Sequence, residues 1–284
     1  MILPGRAAGP YPVRVRPNGA TNSRVTEGPK RRLLPHEHGA YGQILLPLLA
    51  GLAIGRPGFS AALLALAALS GFLAYEPLLV AAGHRGQRAK EQDGTRALRA
   101  AALLLSAAVA LGAAGFLAAP LVARWAALAP PLLAGVVALF VWSDAERTAV
   151  GEVVVATALS SAGYPVALAS GASLRSAAAA WVAWVLAFGC AALAVQAVLG
   201  RARKASPDPG IRSAAGIVAF LAVAVGTAVR TAVPWAVPAA VAPVALSALG
   251  VVLFRVSARH LKAVGWTILS AATVSLAVLV AGLR

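Results

Sequence analysis

Charged residues are what this sequence lacks most. They make up 12% of its 284 positions, against roughly 25% in average soluble domains. With 60% of the chain apolar, too few charges remain to cover a water-facing surface, and an integral membrane protein is the expected class. Cysteine is almost absent too. The single Cys190 lies inside an apolar run, which excludes a disulfide framework within one copy and a cysteine zinc cluster. There is no Walker A loop, no Gly-x-Gly-x-x-Gly turn and no His-Glu-x-x-His zinc motif, and no Gly-x-Ser-x-Gly elbow. Residues 51–55 fit the Gly-x-x-x-Gly helix-pairing pattern, a weak signal in a chain with 27 glycines. The net charge of +16 does not point to nucleic acid, because long uncharged runs separate the basic residues.

What the chain does have is long apolar runs. A spanning helix needs about 20 mostly apolar residues. Nine runs qualify, at 36–55, 59–82, 100–119, 122–142, 148–170, 174–199, 213–230, 234–254 and 264–283. The expected fold is all-α, a polytopic bundle of about nine transmembrane helices over 35–284. Residues 1–34 hold five prolines and seven Lys or Arg, without the apolar core of a secretory signal. They read as a disordered basic N-terminal tail suited to lying on anionic lipid. Pro130 and Pro131 are expected to kink the fourth run, and Pro234, Pro238 and Pro243 to make the eighth irregular.

Lys and Arg counts on alternating sides predict the orientation. With the tail inside, the inner segments hold twenty and the outer segments five, namely Arg56, Arg124, Arg175, Arg230 and Arg284. The N-terminus is expected inside and the C-terminus outside. All nine carboxylates and all four histidines then fall on the inner side or in the inner part of a helix. Polar chemistry belongs at that face, although the shortness of the outer loops accounts for part of the asymmetry.

The densest polar patch is 35–43, Pro-His-Glu-His-Gly-Ala-Tyr-Gly-Gln, at the head of the first run. Pro35 suits a first helical turn, where its missing N–H costs nothing. Gly39, Gln43, Pro47 and Gly51 recur at near-four spacing. They form a small and polar stripe expected to pack inward, with Gln43 hydrogen-bonded in the interior. His36 and His38 make a poor metal pair on a helix, since residues two apart point about 200° apart. An anion or substrate site is the better functional reading: free N–H groups at a helix start, with Glu37, His38, Gly39 and Gln43 as contacts. The plain alternative is a solvated helix start at the membrane boundary.

Glu152 lies just inside the fifth run, on a second small or polar stripe with Thr148, Ala156, Ser160 and Gly163. A carboxylate costs about 2.5–3.5 kcal/mol at the centre of a span, which makes it a functional candidate by default. The alternative is pairing with Arg147. Glu76 precedes Pro77 among apolar neighbours; once buried, its charge needs an Arg or His within reach. Glu152 and Glu76 are the catalytic candidates. Asp144 and Arg147 suit a local i, i+3 pair. The basic stretches 83–99 and 200–212 supply Arg85, Arg88, Arg201 and Arg203 as candidate substrate contacts. The positive-inside rule explains these stretches by itself; binding of anionic headgroups or diphosphates is the functional reading.

Followed by an apolar helix, 35–43 resembles the opening of the YwiC-like family of bacterial membrane proteins, whose first span begins Pro-Lys-Glu-His-Gly-Ala-Trp. Pro35, Glu37, His38, Gly39 and Ala40 match, while His36 stands in place of the Lys and Tyr41 in place of the Trp. A fixed cation at position 36 is thereby lost, since histidine is only partly charged near neutral pH. The resemblance implies an uncharacterised polytopic membrane protein and no particular activity. A looser, architectural resemblance is to the UbiA-type prenyltransferases. It implies nine helices, a cytoplasm-facing cavity, and Mg²⁺ held on a prenyl diphosphate by acid-rich motifs in inner loops. Here those loops offer Glu91-Gln92-Asp93 and a lone Asp208, so Mg²⁺ enters only if that chemistry holds, and the warrant is fold analogy.

Three function classes stay open. One is a UbiA-like protein that binds or transfers a prenyl or phospholipid-type anionic substrate. The second is a small-molecule or ion transporter using Glu152 and Glu76; the sequence has no clear internal repeat, which lowers this reading. The third is a non-catalytic membrane binding protein. Whether the protein is an enzyme is left open, and no metal ligands are assigned. The orientation has a direct check. Reporter fusions at Arg56 and Arg175 should report outside and those at Asp93 and Asp208 inside; reversal at any two of these sites discards the nine-span topology.

Overall fold

A computed structural model describes residues 33–34, 38–143, 145, 148–203, 208–231 and 234–284, with the side chains of 38, 230 and 231 excepted. Residues 1–32 of the basic tail, Pro35, His36, Glu37, the His38 side chain, Asp144, Glu146 and Arg147 therefore lie outside the described residues.

Every regular element among the described residues is helical. The order is α1 (His38–Ile54), α2 (Phe59–Ala82), α3 (Gln87–Ala118), α4 (Leu121–Ala126), α5 (Ala129–Trp142), α6 (Ala149–Ser161), α7 (Gly163–Ala169), α8 (Leu174–Ala202), α9 (Pro209–Thr231), α10 (Ala236–Leu253) and α11 (Leu261–Leu283), with a short 3-10 turn at Ala258–His260. Eight passes are long and apolar enough to cross a membrane, counting α4–α5 and α6–α7 as one pass each; α1 is a shorter apolar helix. Each run predicted from sequence coincides with one of these. The protein is an all-helical, multi-pass membrane protein.

The breaks follow from proline chemistry. The fourth run is interrupted at Ala127–Leu128, just before Pro130 and Pro131 enter the first turn of α5. The prolines lack the N–H that would continue the preceding helix, yet fit the start of a new one. The eighth run is more regular than expected. Pro234 lies outside α10 and Pro238 falls in its first turn, so only Pro243 sits within one continuous helix. The third helix starts well before its predicted run. It begins at Gln87, so most of the basic stretch 83–99 is helix and the connection shrinks to 83–86. At 32 residues, α3 rises about 48 Å, which exceeds a hydrocarbon core of about 30 Å. Its charged first turns therefore have room beyond the core.

The passes alternate, and contacts tie their ends together. At one end, called here the charged end, lie the starts of α1, α3, α6, α9 and α11 and the ends of α2, α5, α8 and α10. There Arg201 of α8 meets the carbonyl of Val252 in α10, and Arg255 meets Asp208. At the opposite end the amide of Arg56 donates to the carbonyl of Ser170 at 2.6 Å. Arg124, one of the five predicted outer cations, donates to the carbonyls of Ala119 and Leu117 at 2.8 and 2.7 Å. It caps the end of α3, where the helix dipole favours a cation. Leu103 on α3 and Leu132 on α5 are 73% and 70% exposed. In a bilayer such faces meet lipid rather than water, and α3, α5 and α9 form the periphery.

Two apolar clusters meet at α1. Leu46, Ala50 and Ile54 belong to a cluster with α8, α10 and α11; Ile44 and Leu48 belong to another with α2, α4 and α7. Between them the expected small stripe packs inward. A Cβ on Gly51 would sit 2.6 Å from the Gly163 carbonyl oxygen, and one on Gly163 would sit 2.5 Å from that of Pro47. The backbones of α1 and α7 touch, as small residues allow in membranes. The stripe fails only at its head, where Gly39 is exposed with open space around it. Gln43 is half-buried and makes no side-chain hydrogen bond among the described residues, so its expected interior bond is not found.

Gly163→Val should lower the apparent Tm of the detergent-solubilised protein, because overpacking of this kind costs about 1–3 kcal/mol. Gly135→Val, at a glycine with nothing within 4 Å, serves as the control and should leave it nearly unchanged. A thermal melt followed by size-exclusion chromatography distinguishes the two.

Candidate functional site

The site begins with a buried acid. Glu76 is 1% exposed, on α2 less than two turns from its end. The chain then reverses through Gly83 and Gly86, whose φ angles of 91° and 97° lie where a side chain is strained and glycine is not. That turn carries Arg85 back over the helix it has just left. Its Nε donates to Oε1 and Oε2 of Glu76 at 3.1 and 3.2 Å, and Nη2 donates to Oε2 at 2.6 Å. A forked guanidinium–carboxylate pair is among the stronger polar contacts. Glu76 thus has the Arg that burial of its charge required, and a predicted catalytic acid and a predicted anion contact neutralise one another.

The second acid sits at the start of α6. Thr148 caps the helix by accepting from the amide of Gly151 at 3.0 Å, and Glu152 follows in the first turn, where the helix dipole favours a carboxylate. Its Oε1 accepts from Nε2 of Gln196 on α8 at 2.6 Å. Below it Ala156 and Ser160 are fully buried, so the predicted stripe of α6 does face the bundle. Gln196 was not picked out from sequence. The signal was present: it is an amide within a long apolar run, the property that singled out Gln43.

The two acids share a depth. α1 and α6 run the same way and meet where Gly163 abuts Pro47. From Gly163 back to Glu152 the chain rises about 16 Å, and from Pro47 back to His38 about 14 Å. Glu152 is therefore level with the first turn of α1. On the other side Tyr41 of α1 meets Phe72 of α2 edge-on at 5.2 Å, and Glu76 lies one turn beyond Phe72 toward the charged end. By these rises the Glu76–Arg85 and Glu152–Gln196 pairs both lie at about the depth of the first turn of α1.

The remaining candidates lie around this end. Arg201, in the last turn of α8, donates from Nε to the carbonyl of Ala197 at 3.0 Å and from Nη1 to that of Val252 at 3.3 Å. It lies against the ends of two helices, where their dipoles favour a cation. Its Nη2 is buried and has no hydrogen-bond partner among the described residues. Arg88 and Arg203 are exposed. Asp93 pairs with Arg96 at 3.1 Å, and Asp208 pairs with Arg255 at 3.4 Å while accepting from the amide of Gly210. Among the described residues no three His, Cys, Asp or Glu side chains come together. Asp93 and Asp208, each facing its own arginine and with no cluster of three such side chains among the described residues, do not fit a Mg²⁺ site.

No curated protein matches the chain, and no solved structure does. A family model does: the one that describes the YwiC-like protein matches residues 34–168. The matched stretch runs from the head of α1 nearly to the end of α7, so it takes in Glu76, Arg85 and Glu152 and leaves Gln196 and Arg201 outside. Over residues 34–168, with their five apolar passes and the Glu-His-Gly-Ala head of the first, this membrane protein is similar to the YwiC-like family.

Proposed function

We propose that the protein binds the anionic headgroup of a prenyl- or phospholipid-type molecule at its charged end, and that this end faces the cytoplasm of a bacterial cell. The observation that carries the reading is the buried Nη2 of Arg201, a cationic donor without an acceptor among the described residues. A buried donor left unmade costs about 1–3 kcal/mol, more when charged. A phosphate oxygen would remove that cost, and guanidinium and phosphate match in charge and geometry.

The surrounding acids support it by being engaged already. Glu76 faces Arg85, Asp93 faces Arg96, Asp208 faces Arg255, and Glu152 holds Gln196. Arg88 and Arg203 pair with no carboxylate among the described residues and add positive potential at the rim. Gly39, exposed and uncrowded, leaves the head of α1 open to approach. The hydrocarbon part of the ligand would stay in the bilayer. Binding is favoured over prenyl transfer, because the loop acids do not form the metal site that transfer needs. The transporter reading keeps Glu152 but loses support at Glu76, whose two oxygens are both taken by Arg85.

Two measurements test these readings. Native mass spectrometry with a polyprenyl phosphate and the matching uncharged prenol should show retention of the phosphate form alone. Arg201→Gln should weaken it by about tenfold, the value of one charge-assisted bond, with Arg203→Gln close to unaltered protein; equal retention of phosphate and alcohol overturns the proposal. For Glu76, both Glu76→Gln and Arg85→Gln should lower stability by about 3 kcal/mol, the lower end for breaking a buried pair. The double variant should recover part of the loss. If Glu76→Gln leaves the melt unchanged and abolishes ion flux into vesicles, the transporter reading stands instead.

A further inference from the structure

The middle of the bundle holds indole donors that no acceptor among the described residues uses. Trp184 of α8 is 1% exposed, and its indole Nε1 has no hydrogen-bond partner. Trp181, one turn earlier on the same helix, also has a buried, unpartnered Nε1. Trp184 lies about 15 Å along α8 from its start, close to half of a hydrocarbon core of about 30 Å. The hydrocarbon core itself offers no bulk water to an orphan N–H. Both rings are fixed by stacking, Trp181 on Tyr164 of α7 at 5.7 Å and Trp184 on Phe188 at 5.2 Å.

Tyr164 carries this location to the break between α6 and α7. The helix is interrupted at Ala162, and Pro165 has no N–H to give the carbonyl of Ser161. Pro47 of α1, itself inside a helix, abuts Gly163 at the same place. Three neighbouring passes thus have either a broken backbone ladder or an unused donor at one depth. Interrupted helices near the bilayer midplane are where membrane proteins build binding sites, and irregular backbone there is tolerated where it is enclosed by protein or lines a cavity.

We propose that this mid-membrane region, between the α6–α7 break and the Trp181–Trp184 face of α8, binds a planar, lipophilic, carbonyl-bearing ring. The carbonyl oxygens accept from the two indole N–H groups, and the ring stacks among Tyr164, Trp181, Trp184 and Phe188. Trp181, half-buried, lies on the route in from the bilayer. This site is separate from the headgroup site at Arg201 and stands or falls independently of it.

The test uses the full chain in detergent, an alkylated benzoquinone as probe, and the alkylbenzene of the same size as its oxygen-free control. The expected result is saturable quenching of tryptophan fluorescence by the quinone, with no competition from the alkylbenzene. Trp184→Phe keeps a stacking ring and removes the donor; it should weaken binding about fivefold, as loss of one neutral hydrogen bond implies. Trp181→Phe, read in the same way, decides the matter if Trp184→Phe does not fold. Quenching that fails to saturate, equal competition by the alkylbenzene, or unchanged affinity in a folded Trp-to-Phe variant overturns the proposal.

Discussion

The close approach of α1 to α7 organises the rest of the molecule. Gly51 and Gly163 let two backbones touch, and Gly55 extends the contact to Ser170, where the Arg56 amide closes it. Inside a membrane the apolar effect does not push helices together, so van der Waals contact between small residues has to. With α1 held there, its two flanks are free to face different clusters, one around α8 and one around α2. The same contact sets the level of α6 against α1. The acids at the charged end are arranged around the first turn of α1 because this contact, deeper in the membrane, fixes the register.

Charge is handled economically at that end. Glu76 of α2, Asp93 of α3 and Asp208 of the α8–α9 connection each meet an arginine from nearby chain, and Glu152 of α6 meets a glutamine from another pass. A bilayer leaves little alternative, since an uncompensated charge is expensive at depth. What distinguishes Arg201 is that its partners are helix-end carbonyls rather than a carboxylate. Carbonyls satisfy two of its nitrogens and leave its positive charge unneutralised. That contrast is what the proposed headgroup site rests on.

The candidate residues were unevenly legible. Glu76 and Glu152 stood out because a carboxylate in an apolar run breaks a composition rule that needs no structure. Gln196 broke the same rule less loudly, being uncharged. The inward stripe of α1 was readable at Pro47 and Gly51 and misleading at Gly39 and Gln43, since periodicity marks a face but not how far along a helix its neighbours extend. The stretch 83–99 looked like a loop because it is charged. It is helix because no proline follows Gly86 in that stretch and most residues from Gln87 are good helix formers, which outweigh Gly94.

By itself, the sequence determined the membrane class, the approximate number of passes and the proline break in the fourth run. These depend on local properties: apolar length against bilayer thickness, and a missing N–H. Tertiary structure decided the partners. That Arg85 folds back onto Glu76, that Gln196 reaches Glu152, and that Arg201 and the two tryptophans keep unmatched donors all depend on which helices lie side by side. Small residues are too common in this chain for pattern alone to say which stripe meets which, and only packing selects one pairing.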